Sequence, residues 1–216
     1  MHWDLISNFF CGCHNINDVT KGRRGMKRRH FLALWSVLLA KPLWARTQLV
    51  ATPSQAEGPF YPVVPIPLRA NLILQEQGIA GEPIELAGRV KDMKGEPLTG
   101  VKVEIWQCDG NGVYDHPQQP NNQNFDRHFA GFGAVETDSN GQYRFRTLFP
   151  VPYTGRPPHI HVKLWRGNKE LLTTQLYLKG QTGNEWWGGQ ERQHLQFDPV
   201  GKKGNKAGEF DFILSV

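Results

Sequence analysis

Cysteine is scarce in this 216-residue chain, which has three: Cys11, Cys13 and Cys108. That excludes a framework of paired disulfides and a four-thiolate zinc site, so stability must come from a core of adequate size. Cys11-Gly-Cys13-His14 lacks the paired spacing of a zinc site. A helical period is missing too. From Thr52 onward no stretch repeats apolar residues convincingly at i, i+3 and i+4, which argues against a helical bundle. No apolar run approaches the roughly 18 residues that a membrane-spanning helix needs. Excess charge is absent from most of the chain. Residues 46–216 hold 18 Lys/Arg against 18 Asp/Glu; the formal net charge of +5 comes from residues 1–45, with seven Lys/Arg against two Asp. A neutral body argues against nucleic acid as a partner.

The basic segment has an order of its own. Met26-Lys-Arg28-Arg29-His30-Phe31-Leu32 precedes the apolar run Ala33–Ala40 and then Pro42-Leu-Trp-Ala45. A basic region, a short apolar region and a small residue form a secretory signal, with the paired arginines of a twin-arginine signal. The expectation is export to the periplasm and cleavage after Ala45, which leaves Cys108 as the one cysteine and no membrane span. Residues 1–25 fit no such pattern and read as an upstream extension, with Met26 a second possible start.

Residues 46–82 are expected to form an extended arm, with prolines at 53, 59, 62, 65 and 67. Residues 83–216 then read as short strands between turns. Ile84–Val90, Val101–Trp106, Tyr143–Thr147, Leu172–Leu178 and Phe210–Leu214 are the candidates, with turns at Asp92–Gly95 and Thr137–Gly141. The predicted class is all-β, a β-sandwich or barrel.

Chemistry concentrates in Tyr153-Thr-Gly-Arg156-Pro-Pro-His159-Ile-His161. Pro157 and Pro158 fix their own φ and push each preceding residue out of the helical region, so the chain enters His159 extended. In the strand that follows, residues i and i+2 lie about 6.6 Å apart on one face, so His159 and His161 can aim at one point. That is half of a metal site, or else a strand whose solvent face carries two histidines. A second tyrosine, Tyr114, ends the loop Cys108-Asp-Gly-Asn-Gly-Val-Tyr114. His116, His128 and His194 read as surface or hydrogen-bonding histidines. Trp186-Trp187, in a glycine-rich loop, could edge a pocket or a subunit contact in a homo-oligomer.

Several blocks in order, Thr52–Pro62, Gly95–Tyr114, Asp138–Thr147, Pro150–Tyr153, Arg156–His161 and Thr174–Tyr177, resemble the intradiol ring-cleavage dioxygenases. That resemblance implies a β-sandwich with a transthyretin-like core. It implies a mononuclear non-haem Fe(III) held by Tyr114, Tyr153, His159 and His161, with Tyr114 and His161 equatorial and Tyr153 and His159 axial. A catechol-type diol and O2 would be the substrates and a cis,cis-muconate the product. Tyr153 would take up substrate protons, Arg156 would stabilise charge developing on the ring, and Gln175 would line the pocket. The ligand set has a physical logic as well. A hard cation suits anionic oxygen ligands, and keeping a phenol ionised at neutral pH takes about 4 kcal/mol, which a trivalent ion can supply.

Two rival readings remain at this level. Gly95–Ile105 with Thr137–Phe145 is also what transthyretin-like and carboxypeptidase-regulatory-like binding modules show, although these need no set of two tyrosines and two histidines. A zinc or copper hydrolase built on His159 and His161 lacks an evident third ligand. The short spacing from Tyr153 to His159 lacks the tryptophan-bearing insert of the protocatechuate enzymes, which leaves the substrate open.

Overall fold

Alternating apolar residues in Pro83–Asp92 (β1) and Gln142–Leu148 (β4) place Ile84, Leu86, Tyr143 and Phe145 on one buried face, and the two strands pair antiparallel. The computed structural model describes residues 49–153, 155–183 and 189–216. The proposed leader, residues 26–45, and Trp186-Trp187 lie outside these. The other strands are β2 (Lys102–Trp106), β3 (Phe132–Glu136), β5 (His159–Arg166), β6 (Lys169–Leu178), β7 (Gln196–Phe197), β8 (Val200–Lys202), β9 (Asn205–Glu209) and β10 (Phe212–Leu214). Among the described residues there is one short helix, α1 (Gly189–Arg192), followed by a 3-10 turn, Gln193–Leu195.

Two five-stranded sheets form a sandwich, as the strand pattern predicted. One has the order β10-β1-β9-β8 with β4 paired to β1; the other runs β3-β2-β5-β6-β7. Their facing side chains build one core, with Leu86, Val90, Phe145 and Phe212 from the first sheet and Val103, Ile105, Val162 and Leu176 from the second. Among the described residues no helix is long and apolar enough to cross a membrane.

The second sheet is covered on its other face as well. Strand β5 is buried at six consecutive positions, His159–Leu164, where a strand open to water on one side would alternate. Ile160, Val162 and Leu164 enter the core, so His159, His161 and Lys163 occupy the outer face. The arm before β1 and the loops between β2 and β3 and between β4 and β5 cover that face. Register then sets the neighbours: Trp106 and Gln175 flank His161, and Tyr177 lies opposite His159.

Candidate functional site

The two histidines converge as their i, i+2 spacing predicted. Their Nε2 atoms are 3.1 Å apart, with ring planes at 76°. His159 Nδ1 lies 2.6 Å from the Pro157 carbonyl. A carbonyl only accepts, so Nδ1 carries the proton and Nε2 is left with its lone pair. His161 stacks on Trp106, with centroids 4.8 Å apart and planes within 8°. Burial lowers the pKa of both imidazoles, His159 to about 4 and His161 well below the ordinary value. Both are therefore neutral at pH 7, the state in which imidazole binds a metal.

Tyr114 arrives from the β2–β3 loop, which Asp109 organises. One oxygen of its buried carboxylate accepts from the amides of Asn111 and Val113, and the other accepts from that of Asp126. Gly110 is needed in this loop because a Cβ there would sit 2.2 Å from the Ala80 carbonyl oxygen. The Tyr114 ring lies 5.1 Å from that of Tyr153 and 6.1 Å from that of His161. Its hydroxyl is buried and lies beside the Tyr153 hydroxyl without a hydrogen bond of normal geometry. Burial is the main reason that the Tyr114 phenol is held well above its ordinary pKa, and it raises Tyr153 as well.

Tyr153 and Arg156 close a tight turn, in which the Arg156 amide donates to the Tyr153 carbonyl at 2.7 Å. The guanidinium then donates to Gln175 Oε1 at 2.8 Å, and the same oxygen accepts from the Tyr177 hydroxyl at 2.8 Å. Gln175 Nε2 donates to the Ala56 carbonyl of the arm at 2.7 Å. Beside this network opens a cleft of about 730 Å³ lined by Gln55, Ala56, Arg156, Pro157, Gln175 and Arg192. Another cleft of about 630 Å³, at β1, β4 and β9, contains none of these groups.

All six residues singled out in the sequence thus meet at one place. Trp106, Tyr177 and Phe60, whose ring lies 4.8 Å from that of Tyr114, were not assigned there. Tyr177 carried a usable signal, since it follows Gln175 by two on the same strand face. His128 is tied to Asp126 and His116 Nδ1 accepts from the Gln118 amide, while His194 sits on the Gln193–Leu195 turn. Cys108 is buried, and burial pushes its thiol up to about 12, which makes it a neutral packing group.

Two neutral imidazole nitrogens, the buried phenol of Tyr114 and the half-buried phenol of Tyr153 fit a hard, highly charged cation. Among the described residues no three of His, Cys, Asp and Glu are grouped to hold a metal. Phenols whose pKa is raised, as both are here, ionise when a strong positive charge is provided.

Neutral burial of the histidines gives stability a pH dependence. Between pH 6.5 and about 4, His159 is protonated in the unfolded chain and neutral in the folded one. The unfolded state binds more protons there, so stability falls as pH falls, by about 3 kcal/mol for this residue across the window. The Tm of metal-free protein should drop steeply from pH 6.5 to 4, and His159→Gln should flatten that slope. An equal slope in the variant would show that other groups dominate.

Residues 56–184 match a family model described as Dioxygenase. The hydroxyquinol 1,2-dioxygenase of Corynebacterium glutamicum is 28% identical over 207 residues, 82% of this chain and 62% of that protein. The protocatechuate 3,4-dioxygenase beta chain of Burkholderia cepacia is 37% identical over 110 residues, 46% of each chain. Among solved structures, the dioxygenase domain of a dioxygenase carbohydrate-binding protein fusion from Streptomyces sp. SirexAA-E is 33% identical, with a TM-score of 0.64 over 77% of this chain and 99% of that one. This chain therefore spans less than two thirds of either of those two curated relatives. Because the model match runs from the arm at residue 56 to beyond Gln175, it takes in every ring of the cluster, and the chain belongs to the intradiol ring-cleavage dioxygenase family.

Proposed function

We propose that this protein is a non-haem Fe(III) dioxygenase that opens catechol-type aromatic diols with O2 to cis,cis-muconate-type dicarboxylic acids. The observation that carries this reading is the pair of Nε2 atoms 3.1 Å apart beside the buried ring of Tyr114 and the half-buried ring of Tyr153. Tyr114, Tyr153, His159 and His161 would hold the ion. A ferric ion held there would supply the positive charge that ionises the phenols and an incoming diol.

Tyr114 and Tyr153 have different surroundings. Tyr114 is almost wholly buried, which suits a permanent ligand, whereas Tyr153 is less buried and adjoins Arg156 at the cleft. Tyr153 would then be the group that accepts a proton from a diol hydroxyl. Arg156, oriented by Gln175, points positive charge at the cleft, where negative charge develops on the ring as it is attacked. The arm carbonyl of Ala56 fixes the Gln175 amide, which leaves Oε1 for Arg156 and Tyr177. Diol plus O2 equals the dicarboxylic product atom for atom, so no reductant is needed.

The relatives carry the names of hydroxyquinol and protocatechuate enzymes, so the assay panel should include both diols with catechol and its alkyl and chloro derivatives. Oxygen uptake without added reductant, in step with a muconate absorbance, is the expected result. A yellow semialdehyde, or a requirement for ferrous iron, would refute the roles given to the two tyrosines.

A further inference from the structure

The outer face of the second sheet continues beyond the two histidines into charged groups that the chemistry above does not use. Lys163 follows His161 by two on β5, and Glu104 lies opposite Lys163 on β2. Both are nearly inaccessible, Lys163 5% and Glu104 2% exposed. Burying these charges is costly unless each is paired, and removing one partner strands the other. The pairing shows what they hold. Lys163 Nζ contacts the Glu57 carboxylate directly and lies 3.5 Å from Glu170. It also sits 4.3 Å above the Tyr61 ring. The Tyr61 hydroxyl in turn donates to Glu104 Oε2 at 2.9 Å, an oxygen that also accepts from Trp165 Nε1 at 2.7 Å. Lys102 supplies the counter-charge at 2.8 Å on the other carboxylate oxygen.

Glu57 and Tyr61 belong to the arm, and the residues between them cross the metal-ligand rings. Gly58 has φ +80°, and a Cβ on it would stand 3.1 Å from His161 Cε1. Phe60 places its ring 4.8 Å from that of Tyr114 and 6.1 Å from that of Tyr153. The arm is therefore fastened on both sides of its crossing, at Glu57 by Lys163 and at Tyr61 by Glu104.

We infer that Lys163 is a positioning residue: through Glu57 it clamps the arm across His161 and Tyr114, so that release of the bound ion is gated by detachment of residues 57–61. This rests on the reading of the four rings as ligands, but the identity of the ion does not enter the geometry. The carboxylate of Glu57 has a side chain 41% exposed, so its loss leaves the fold intact while Lys163 keeps Glu170.

Full-length protein loaded with ferric iron, and separately with zinc, would be mixed with excess chelator and the release rate followed. Glu57→Gln and Lys163→Met should each speed release about tenfold, the scale on which loss of a residue supporting a ligand acts. Their double variant should be no faster than the faster single, because both break one contact. Lys163→Arg, which keeps the charge, should stay near wild type. In the metal-free protein, chymotryptic cleavage after Phe60 should rise in the two leaky variants and not in Lys163→Arg. Unchanged release alongside raised cleavage would mean that the pair holds the arm without guarding the ion, and would overturn the inference. So would unchanged release and cleavage together, or a Lys163→Arg protein as leaky as Lys163→Met. If Lys163→Met fails to fold, Glu57→Gln alone decides. A wild-type chain that holds zinc but no ferric iron would sink the dioxygenase reading, and its zinc release would still decide the clamp.

Discussion

Tyr114→Phe is expected to abolish retention of ferric iron and the visible charge-transfer band, while leaving the metal-free protein at least as stable as wild type. Both halves follow from one observation, that the Tyr114 hydroxyl is buried and makes no hydrogen bond of normal geometry. A buried polar group without a partner costs about 1–3 kcal/mol, so deleting it removes a penalty in the empty protein. On the proposed reading the same oxygen would be one of two anionic ligands to the ion. Its loss should exceed the roughly 10–100-fold effect of mutating a residue that merely supports a ligand. Iron content after gel filtration, the visible spectrum and the metal-free Tm are the three measurements. A fall in metal-free Tm with the iron kept would make Tyr114 a structural tyrosine and dismantle the ligand set. Tyr153→Phe should behave differently: less buried and beside Arg156, Tyr153 is the group expected to yield its place to substrate, so more iron persists and turnover falls instead.

Part of the fold and of the site is legible in the sequence. The alternation in β1 and β4 is strong because one face of each enters the core, and the i, i+2 histidines needed only an extended backbone. Strands β8 and β9 escaped notice for a physical reason. Val200–Lys202 is exposed throughout and Asn205–Glu209 buries fully only Gly208, so neither has an apolar period, and β9 exists by parallel pairing with β1 more than a hundred residues earlier. The helix Gly189–Arg192 is too short to show a period at all. In the site, the i, i+2 histidines show in spacing alone, whereas the roles expected of Tyr114, Tyr153 and Arg156 came from the family resemblance. The stack of Trp106 on His161 depends on the β2–β5 register, and the approach of Gly58 to His161 spans about a hundred residues of chain. Neither has a local signature.

Arg156→Met should lower kcat by about 10²–10³, the usual effect of removing one preorganised group aimed at developing charge, with little change in iron content or colour. The geometry makes it a test of orientation as well as charge. Gln175 Oε1 accepts from Arg156 and Tyr177 at 2.8 Å each, so the guanidinium is held at a fixed angle by a side chain that is itself tied to the Ala56 carbonyl. Arg156→Lys keeps the charge but loses the planar fork, and it should recover only part of the rate. Gln175→Leu leaves the guanidinium in place but unheld, so it should cost less than Arg156→Met. The split between the parameters is decisive. If Arg156 stabilises charge that appears only as the ring is attacked, kcat and kcat/KM fall together. A raised KM with unchanged kcat would instead make Arg156 a binding group for the ground-state diol. Loss of the visible band would show that the turn from Tyr153 to Arg156 had collapsed and taken a ligand with it, since the Arg156 amide and the Tyr153 carbonyl are bonded at 2.7 Å.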